Sequence, residues 1–340
     1  MKPATRLLIA LMVIVALVAV AGYFLPSDVI VSRSIVVNAP RSEVFTVANT
    51  LRAFSRWSPW SERDPHMNFS FDGADSGVGQ KMTWRSQNSA VGTGSMAIVD
   101  SLRDEKVVMR INFASMANAQ SSLALDDAAG GATRVTWSFG YSVGGNPLAH
   151  YVALVMPSAV GKEYEDGLAR LKKYVEAIPP VDFSDLAVEQ VSVAPRTLVS
   201  VDATAADTAQ GVSEALDRSI KSLNAAIRSA GLASDGPPNS VANGVKGNDV
   251  TMSVSYPVSD VSSDAKLPAG VYTTKAAAAV ALRVHYSGDY AGLQADYIKL
   301  LAYALAHGWK VRGSTWNEYT GGIPAKPNAK IAVEIYLPVE

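Results

Sequence analysis

The feature that most constrains this chain is an uncharged apolar run near its amino terminus. Residues Leu7–Leu25 read LLIALMVIVALVAVAGYFL, and two basic residues, Lys2 and Arg6, precede them. As a helix this run would be about 28 Å long, which is close to the hydrocarbon thickness of a bilayer. The basic residues before the run favour an amino terminus held inside and a remainder that is exported. We therefore predict that residues 1–27 anchor the chain in a membrane.

A cleaved secretory signal is the alternative interpretation of this segment. Ala19-Val20-Ala21 has the small-x-small pattern of a cleavage site. The apolar run continues beyond that site through Gly22-Tyr23-Phe24-Leu25, which favours a retained anchor. Both interpretations export the rest of the chain. The expected location is the inner (cytoplasmic) membrane, crossed once, with the folded domains in the periplasm or another extracytoplasmic space.

Composition predicts a folded chain of about two domains and excludes several functional classes. The 340 residues are 48% hydrophobic, which supplies ample core and excludes disorder over the whole chain. Thirty Lys and Arg against 31 Asp and Glu leave a net charge of −1. Because no basic stripe is visible, a nucleic-acid partner is not expected. The absence of cysteine excludes thiol nucleophiles and disulfides. The four histidines are scattered, so no metal site is predicted, and no cofactor motif is present. Nothing in the sequence indicates an oligomeric state.

Residues 28–178 have the pattern of an antiparallel sheet closed by a long helix. Strands are predicted at Val29–Val37, Val78–Arg85, Val91–Leu102, Val107–Phe113, Ser121–Leu125 and Thr133–Val143. The last of them alternates large apolar and small polar residues, as a half-buried strand does. An apolar stripe at helical spacing follows, formed by Tyr164, Leu168, Leu171, Val175 and Ile178. We expect the sheet and this closing helix to enclose a cavity.

Particular residues in this region resemble the START-like, polyketide cyclase/SRPBCC superfamily. They are a strand followed by N-A-P-x-x-x-V-F (Asn38 to Phe45), Trp57-Ser58-Pro59-Trp60, Asp64-Pro65, Gly77-Val78-Gly79, Trp84 and Thr133–Trp137. The resemblance implies a helix-grip fold that binds hydrophobic small molecules, and some members of the family are cyclases or dehydratases. It makes Trp57, Trp60, Trp84 and Trp137 candidates for lining the cavity, although any of them could instead fill the core.

From Leu186 onward the chain repeats a pattern. Val250–Val258 (VTMSVSYPV) and Ile331–Val339 (IAVEIYLPV) are both strand-like and both end in Pro-Val. An amphipathic helix closed by Gly231 or Gly308 precedes each of them. One strand comes before each helix, predicted at Val188–Val201 and Ala279–Tyr286. The repeat predicts a strand–helix–strand–strand unit used twice, with a groove between the copies. The fold class is therefore α+β, with domains at 28–178 and 186–340 and a linker at 179–185.

The second block resembles the GyrI-like effector-binding domain, which is also attached to AraC-type activators. His285 to Tyr290 is similar to the family's strand and G-P-Y turn, with Asp289, a good helix N-cap, in place of the proline. Trp316 to Tyr319 with Pro324, and the ending Glu334-Ile335-Tyr336-Leu337-Pro338-Val339, are similar as well. The resemblance implies a small-molecule site with an acid at its centre.

Glu334 is the strongest single candidate for that acid. On a strand, Ile331, Val333, Ile335 and Leu337 share the face that packs under the helices, so Glu334 and Tyr336 share the other. Ser253 holds the equivalent place in the first copy, which predicts a single central carboxylate. The candidate ligand-binding residues are Glu334, Tyr336, Trp316, Tyr319, His285 and Tyr290. A carboxylate flanked by aromatic rings suits a cationic amphiphile.

These patterns favour a membrane-anchored protein that binds small hydrophobic or cationic ligands in the cell envelope. One alternative is a cyclase- or hydrolase-like enzyme that uses Glu334 as its acid or base. The second alternative is an interaction scaffold without catalytic activity. A transcription factor is disfavoured because no helix-turn-helix precedes the second block and an export segment does.

Overall fold

The computed structural model describes residues 3–113, 116–259, 266–322 and 330–340. The chain divides into two compact units, Met1–Ile178 with Ala306–Gly308, and Pro179–Leu305 with Trp309–Glu340. Each unit is built around one antiparallel sheet and has its own helices. The predicted α+β class is confirmed.

The first unit begins with helix α1 (Pro3–Gly22). Apolar side chains from Leu7 to Val20 are exposed around its whole circumference. Its carboxyl end is attached to the rest of the unit. The Tyr151 hydroxyl donates to the Val18 carbonyl at 2.8 Å, and Nδ1 of His150 lies 2.8 Å from the Gly22 carbonyl oxygen. Among the described residues, no helix combines the length and the apolar character needed to cross a membrane. The anchor at residues 1–27 stays a prediction.

Seven strands form the sheet of the first unit, in the order β1-β7-β6-β5-β4-β3-β2. They are β1 (Asp28–Val37), β2 (Asn68–Asp72), β3 (Lys81–Arg85), β4 (Thr93–Leu102), β5 (Lys106–Phe113), β6 (Met116–Asp127) and β7 (Thr133–Ser142). The four helices that follow α1 are α2 (Arg41–Ala48), α3 (Leu51–Trp57), α4 (Pro59–Arg63) and α5 (His150–Val175). The sequence prediction found six of these strands and missed β2, a five-residue edge strand whose alternating burial is only partial.

Helix α5 closes the sheet, and its predicted stripe is buried throughout. Tyr164, Leu168, Leu171, Val175 and Ile178 are each at most 4% exposed. The helix is longer than its apolar stripe predicts, because the apolar stretch before Pro157 belongs to it. Residues 150–156 form its first turns, and they carry the attachment to α1.

Eight strands form the sheet of the second unit, in the order β12-β9-β11-β10-β14-β15-β13-β8. They are β8 (Glu189–Val193), β9 (Arg196–Ala206), β10 (Asn239–Lys246), β11 (Asp249–Val258), β12 (Val271–Ala276), β13 (Ala279–Gly288), β14 (Trp316–Glu318) and β15 (Ile331–Val339). Two helices, α6 (Ala209–Ser229) and α7 (Tyr290–Ala306), complete the unit. The predicted duplication is confirmed, with β9-α6-β10-β11 as one copy and β13-α7-β14-β15 as the other.

The two copies exchange their edge strands. Strand β8 precedes the first copy but pairs with β13 of the second, whereas β12 precedes the second copy and pairs with β9 of the first. The predicted single strand Val188–Val201 is wrong on this point. Pro195, which has no N–H to donate to a ladder, lies between β8 and β9, where the chain passes from the β8 edge of the sheet to the strand next to the opposite edge.

One face of the second sheet carries the core. Alternate residues of β15, namely Ile331, Val333, Ile335, Leu337 and Val339, are at most 5% exposed. They pack in one cluster with Leu216 and Leu223 of α6 and with Leu293 and Leu300 of α7. The predicted orientation of β15 is therefore confirmed, and the residues between these positions point to the opposite face.

Candidate functional site

The first unit contains an apolar cavity of about 310 Å³ between helix α5 and the sheet. Its volume lies at the lower end of the range for small-molecule pockets. Aromatic rings and thioethers make up most of its wall. The aromatic residues are Phe54, Trp60, Phe69, Trp84, Phe113, Phe139 and Tyr164, and the methionines are Met67, Met82, Met96, Met116 and Met156.

Two of the four candidate tryptophans line this cavity and two lie beneath it. Trp60 and Trp84 form part of the wall. Trp57 and Trp137 are each 1% exposed and pack edge-to-face with ring centroids 5.2 Å apart. Trp137 also stacks on Tyr164 at 3.9 Å and donates from Nε1 to the Ser121 hydroxyl at 2.7 Å. The second pair therefore fills the core, which is the alternative that the sequence left open for each tryptophan.

A close backbone approach fixes the position of Trp84. Gly94 is its cross-strand partner on β4, and a Cβ atom at that position would overlap the indole. The ring therefore lies across the glycine and stacks on Phe113 with centroids 6.3 Å apart. Gly94 is the residue that lets a tryptophan lie along this part of the cavity wall.

The cavity wall carries one ion pair, formed by Arg63 of α4 and Glu163 of α5. An Nη2–Oε1 contact joins the two side chains. The second oxygen of the carboxylate, Oε2, is buried and has no hydrogen-bond partner among the described residues. Neither residue is predicted from the sequence, because a charged residue on a long amphipathic helix normally faces water.

In the second unit, most of the sequence-predicted candidates meet on the face of the sheet that is opposite the core. We call this the polar face. On it, Trp316 pairs directly with Tyr336, and Glu318 with Glu334. On the other side of β15, His285 is the partner of Glu334. Four of the six predicted ligand-binding residues, Glu334, Tyr336, Trp316 and His285, are therefore neighbours.

Glu318 is a second carboxylate at the centre of this face, so the expectation of a single acid does not hold. Its side chain is 11% exposed, and that of Glu334 is 21% exposed. Glu318 pairs with Arg196 of β9 and accepts a 3.1 Å hydrogen bond from the Tyr336 hydroxyl. Its alternation with Trp316 on a strand is the sequence signal that could have revealed it.

Glu334 is held by two basic residues of β13. Nδ1 of His285 lies 2.8 Å from its Oε1, and Nε of Arg283 lies 3.8 Å from its Oε2. Arg283 also donates to Glu189 of β8 at 2.5 Å, and that hydrogen bond raises the pKa of its guanidinium. Glu189 of the exchanged edge strand β8 thus joins this network of charged side chains. Within the network, both central carboxylates, Glu318 and Glu334, have basic partners.

An aromatic plate lies beside these carboxylates. The rings of Trp316 and Tyr336 stack with centroids 4.8 Å apart and an interplanar angle of 3°. Burial and then the Glu318 carboxylate raise the pKa of the Tyr336 hydroxyl, so this hydroxyl stays protonated and donates. A flat ring plane next to anionic oxygens can receive an aromatic cation.

Tyr290 and Tyr319 lie elsewhere. Both belong to the core side of the sheet, at 8% and 2% exposure, and the Tyr319 hydroxyl is 2.8 Å from the Ser240 hydroxyl. Tyr319 follows Glu318 directly and so points to the other face. Ser253, the first-copy equivalent of Glu334, donates to Asp202 at 2.7 Å. Pro324 lies outside the described residues.

Residues 28–176 match a family model described as "Polyketide cyclase / dehydrase and lipid transport". This segment therefore resembles a polyketide cyclase domain. Its match runs from the first residue of β1 to the end of α5, and so includes the cavity described above. No curated protein matches the sequence.

Solved structures give distant similarities. The C-terminal domain of EcmrR is 18% identical with a TM-score of 0.39, over 46% of this chain and 98% of that one. EcmrR in a cryo-EM complex with DNA is 16% identical with a TM-score of 0.39, over 56% of this chain and 71% of that one. The Aha1 dimer from Colwellia psychrerythraea is 16% identical with a TM-score of 0.32, over 44% of this chain and 97% of that one. At these values the likeness carries no functional inference.

Proposed function

We propose that the polyketide cyclase-like domain binds a hydrophobic small molecule in the cavity between α5 and the sheet. The observation that carries this proposal is the cavity itself, which aromatic rings and thioethers line in an otherwise closely packed domain. The description of the matching family, which includes lipid transport, agrees with it. Binding is favoured over catalysis because apolar side chains dominate the wall and its two charged residues, Arg63 and Glu163, are paired with each other.

Binding of an apolar fluorescent dye, Nile red, tests this proposal. Ala159 lines the cavity from α5 and is exposed to solvent, so it lies at the cavity mouth. Ala159→Trp should obstruct the mouth and lower dye affinity at least tenfold. Ala169→Trp, at an exposed position of the same helix away from the cavity, is the matched control. Equal affinity of both variants and the parent would place the dye outside the cavity.

The polar face of the second unit is a second candidate binding site, for a cationic aromatic ligand. Two neighbouring carboxylates beside the stacked rings of Trp316 and Tyr336 support it. Glu334→Gln removes one charge at nearly constant volume. Loss of one charge-assisted contact should lower affinity for a cationic dye about ten- to a hundredfold and leave a matched neutral dye unchanged.

Equal loss for both dyes would indicate a change of shape rather than of charge. No loss for either dye would place Glu334 outside the site. Turnover of a ligand that disappears in Glu334→Gln while binding persists would favour the enzyme alternative instead. A polar face that binds no small molecule would favour the scaffold alternative.

We further propose that α1 holds the protein at the inner membrane, with both units on the outer side. The exposed apolar side chains of α1, the basic residues before them and the two hydrogen-bonding contacts that join α1 to α5 support this proposal. Flotation of the full chain with phospholipid vesicles, compared with a chain that lacks residues 1–27, measures the association. Sequencing of the mature amino terminus separates a retained anchor from a cleaved signal.

A further inference from the structure

In the cavity of the first unit, the Arg63–Glu163 ion pair includes a hydrogen-bond acceptor that no donor in the described part of the chain satisfies. Nη2 of Arg63 contacts Oε1 of Glu163, but Oε2 is buried and has no donor in the described part of the chain. A buried carboxylate oxygen without a partner is costly, because it loses water and gains nothing in return. Both residues belong to the lining of the apolar cavity, so a molecule inside it lies against this pair.

The charges of this pair restrict what can bind there. Glu163 attracts a hydrogen-bond donor and repels an anion, whereas Arg63 attracts an acceptor and repels a cation. The two charges cancel. A charged ligand would therefore be attracted to one of these residues and repelled by the other, with little net gain in binding free energy. A hydroxyl both donates and accepts, and it can therefore satisfy Oε2 of Glu163 and a remaining N–H of the guanidinium at the same time.

We infer that Arg63 and Glu163 form a polar anchor for the hydroxyl group of a neutral amphiphile, whose apolar body fills the rest of the cavity. This inference rests on the proposed function of the cavity and names its ligand class. A volume of about 310 Å³ fits one alkyl chain or a few fused rings better than a lipid with two acyl chains. The ligand head lies against α4 and α5, and the tail lies among the methionines and aromatic rings.

Displacement of Nile red by four probes of equal chain length tests the anchor: 1-decanol, decylamine, decanoate and 1-chlorodecane, each below the concentration at which it aggregates. In the parent protein, 1-decanol should bind at least tenfold more tightly than 1-chlorodecane, and the two charged probes more weakly than 1-decanol. Glu163→Gln keeps an acceptor oxygen but loses its charge, so 1-decanol should weaken about five- to tenfold. Glu163→Met should abolish the preference for 1-decanol over 1-chlorodecane.

Glu165→Gln is the matched control, because Glu165 is an exposed residue of α5 that pairs with Arg33. It should leave all four affinities unchanged. Equal affinities of all four probes in the parent would overturn the anchor while leaving the cavity function standing. Tightest binding of decylamine or decanoate would overturn the assignment of a neutral hydroxyl. Failure of Nile red to bind at all would remove the proposed function, and the anchor with it.

Discussion

At single positions, two glycines of helix α5 show how local packing can reverse an intrinsic preference. Replacing glycine by alanine inside a helix normally stabilises a protein by up to about 1 kcal/mol. At Gly167 a Cβ atom would lie 2.5 Å from Cζ3 of the buried Trp137 and 3.2 Å from Cδ of Pro59. At Gly161 it would meet only the end of the Arg33 side chain, which can rotate away.

We therefore expect opposite signs for the two alanine substitutions. Gly167→Ala should lower the free energy of unfolding by about 1–3 kcal/mol, because the fully buried indole cannot move aside. Gly161→Ala should leave that free energy unchanged or raise it by up to about 1 kcal/mol. Urea unfolding of both variants measures the difference. A stabilised Gly167→Ala would mean that α5 does not approach Trp137 this closely.

The residues of the polar face show what sequence can and cannot predict at this scale. Alternation along β15 is enough to place Glu334 and Tyr336 together and opposite the core, because strand side chains have a period of two. Glu318 and Arg196 come from strands whose pairing the local sequence does not specify. The partner of Glu334 across the sheet is therefore visible only once the strand order is known.

At the scale of elements, the two helices of the second unit begin with equivalent N-caps. The Thr208 hydroxyl accepts the N–H of Gly211 at 3.0 Å, and the Asp289 carboxylate accepts the N–H of Gly292 at 2.9 Å. The second cap confirms the N-cap role predicted for Asp289, the residue that stands in place of the family's proline. The same device thus starts the helix in both copies, although the residue types differ.

Removal of either cap should weaken the unit by a similar amount. Thr208→Ala and Asp289→Ala should each lower the free energy of unfolding by about 1 kcal/mol, since one N–H in the first helical turn loses its acceptor. Thr208→Ser and Asp289→Asn keep the acceptor and should retain most of the stability. If the alanine and the conservative variants unfold at the same urea concentration, the caps do not contribute.

The end of α5 is tied to the end of β1 by a carboxylate, which makes this junction sensitive to pH. Lys172 donates to Glu176 at 2.8 Å, as does the backbone N–H of Asn38, and these bonds hold the pKa of Glu176 below its ordinary value of 4.5. A lowered pKa in the folded state adds stability above about pH 4.5, and this stability is lost as the pH falls through the folded value. Glu176→Gln should therefore be less stable than the parent at neutral pH, with a difference that narrows below about pH 4.5. A difference that does not change with pH would contradict this linkage.

Element types followed from periodicity more reliably than element ends did. The stripe of α5 and the strands β13 and β15 of the second copy have strong periods, and the structure contains them. The start of α5 was missed because Pro157 and the uniformly apolar residues before it hide the helical period. The division of β8 from β9 depends on their pairing partners, β13 for β8 and β11 for β9, and strand pairing is a property of the whole sheet.

For the whole molecule, the exchange of β8 and β12 decides where the chain can be divided. A cut between the two copies would leave β13 without β8, β9 without β12 and β10 without β14. We expect fragments 28–178 and 179–340 to unfold cooperatively on their own, because each contains a complete sheet. Fragments 179–265 and 266–340 should be unfolded separately and should fold when mixed. Circular dichroism melts of the four fragments check this, and a stable 266–340 alone would contradict it.

Five of the nine methionines of the chain lie in the wall of one cavity. Thioether side chains are unbranched and polarisable, and they change rotamer at little cost, so such a wall adapts its contour to whatever it encloses. The shape of the cavity therefore discriminates little between ligands whose apolar bodies are of similar size. Selectivity is left to the few groups that cannot adapt, and evolution of a new preference would need changes at those positions rather than a rebuilt interior.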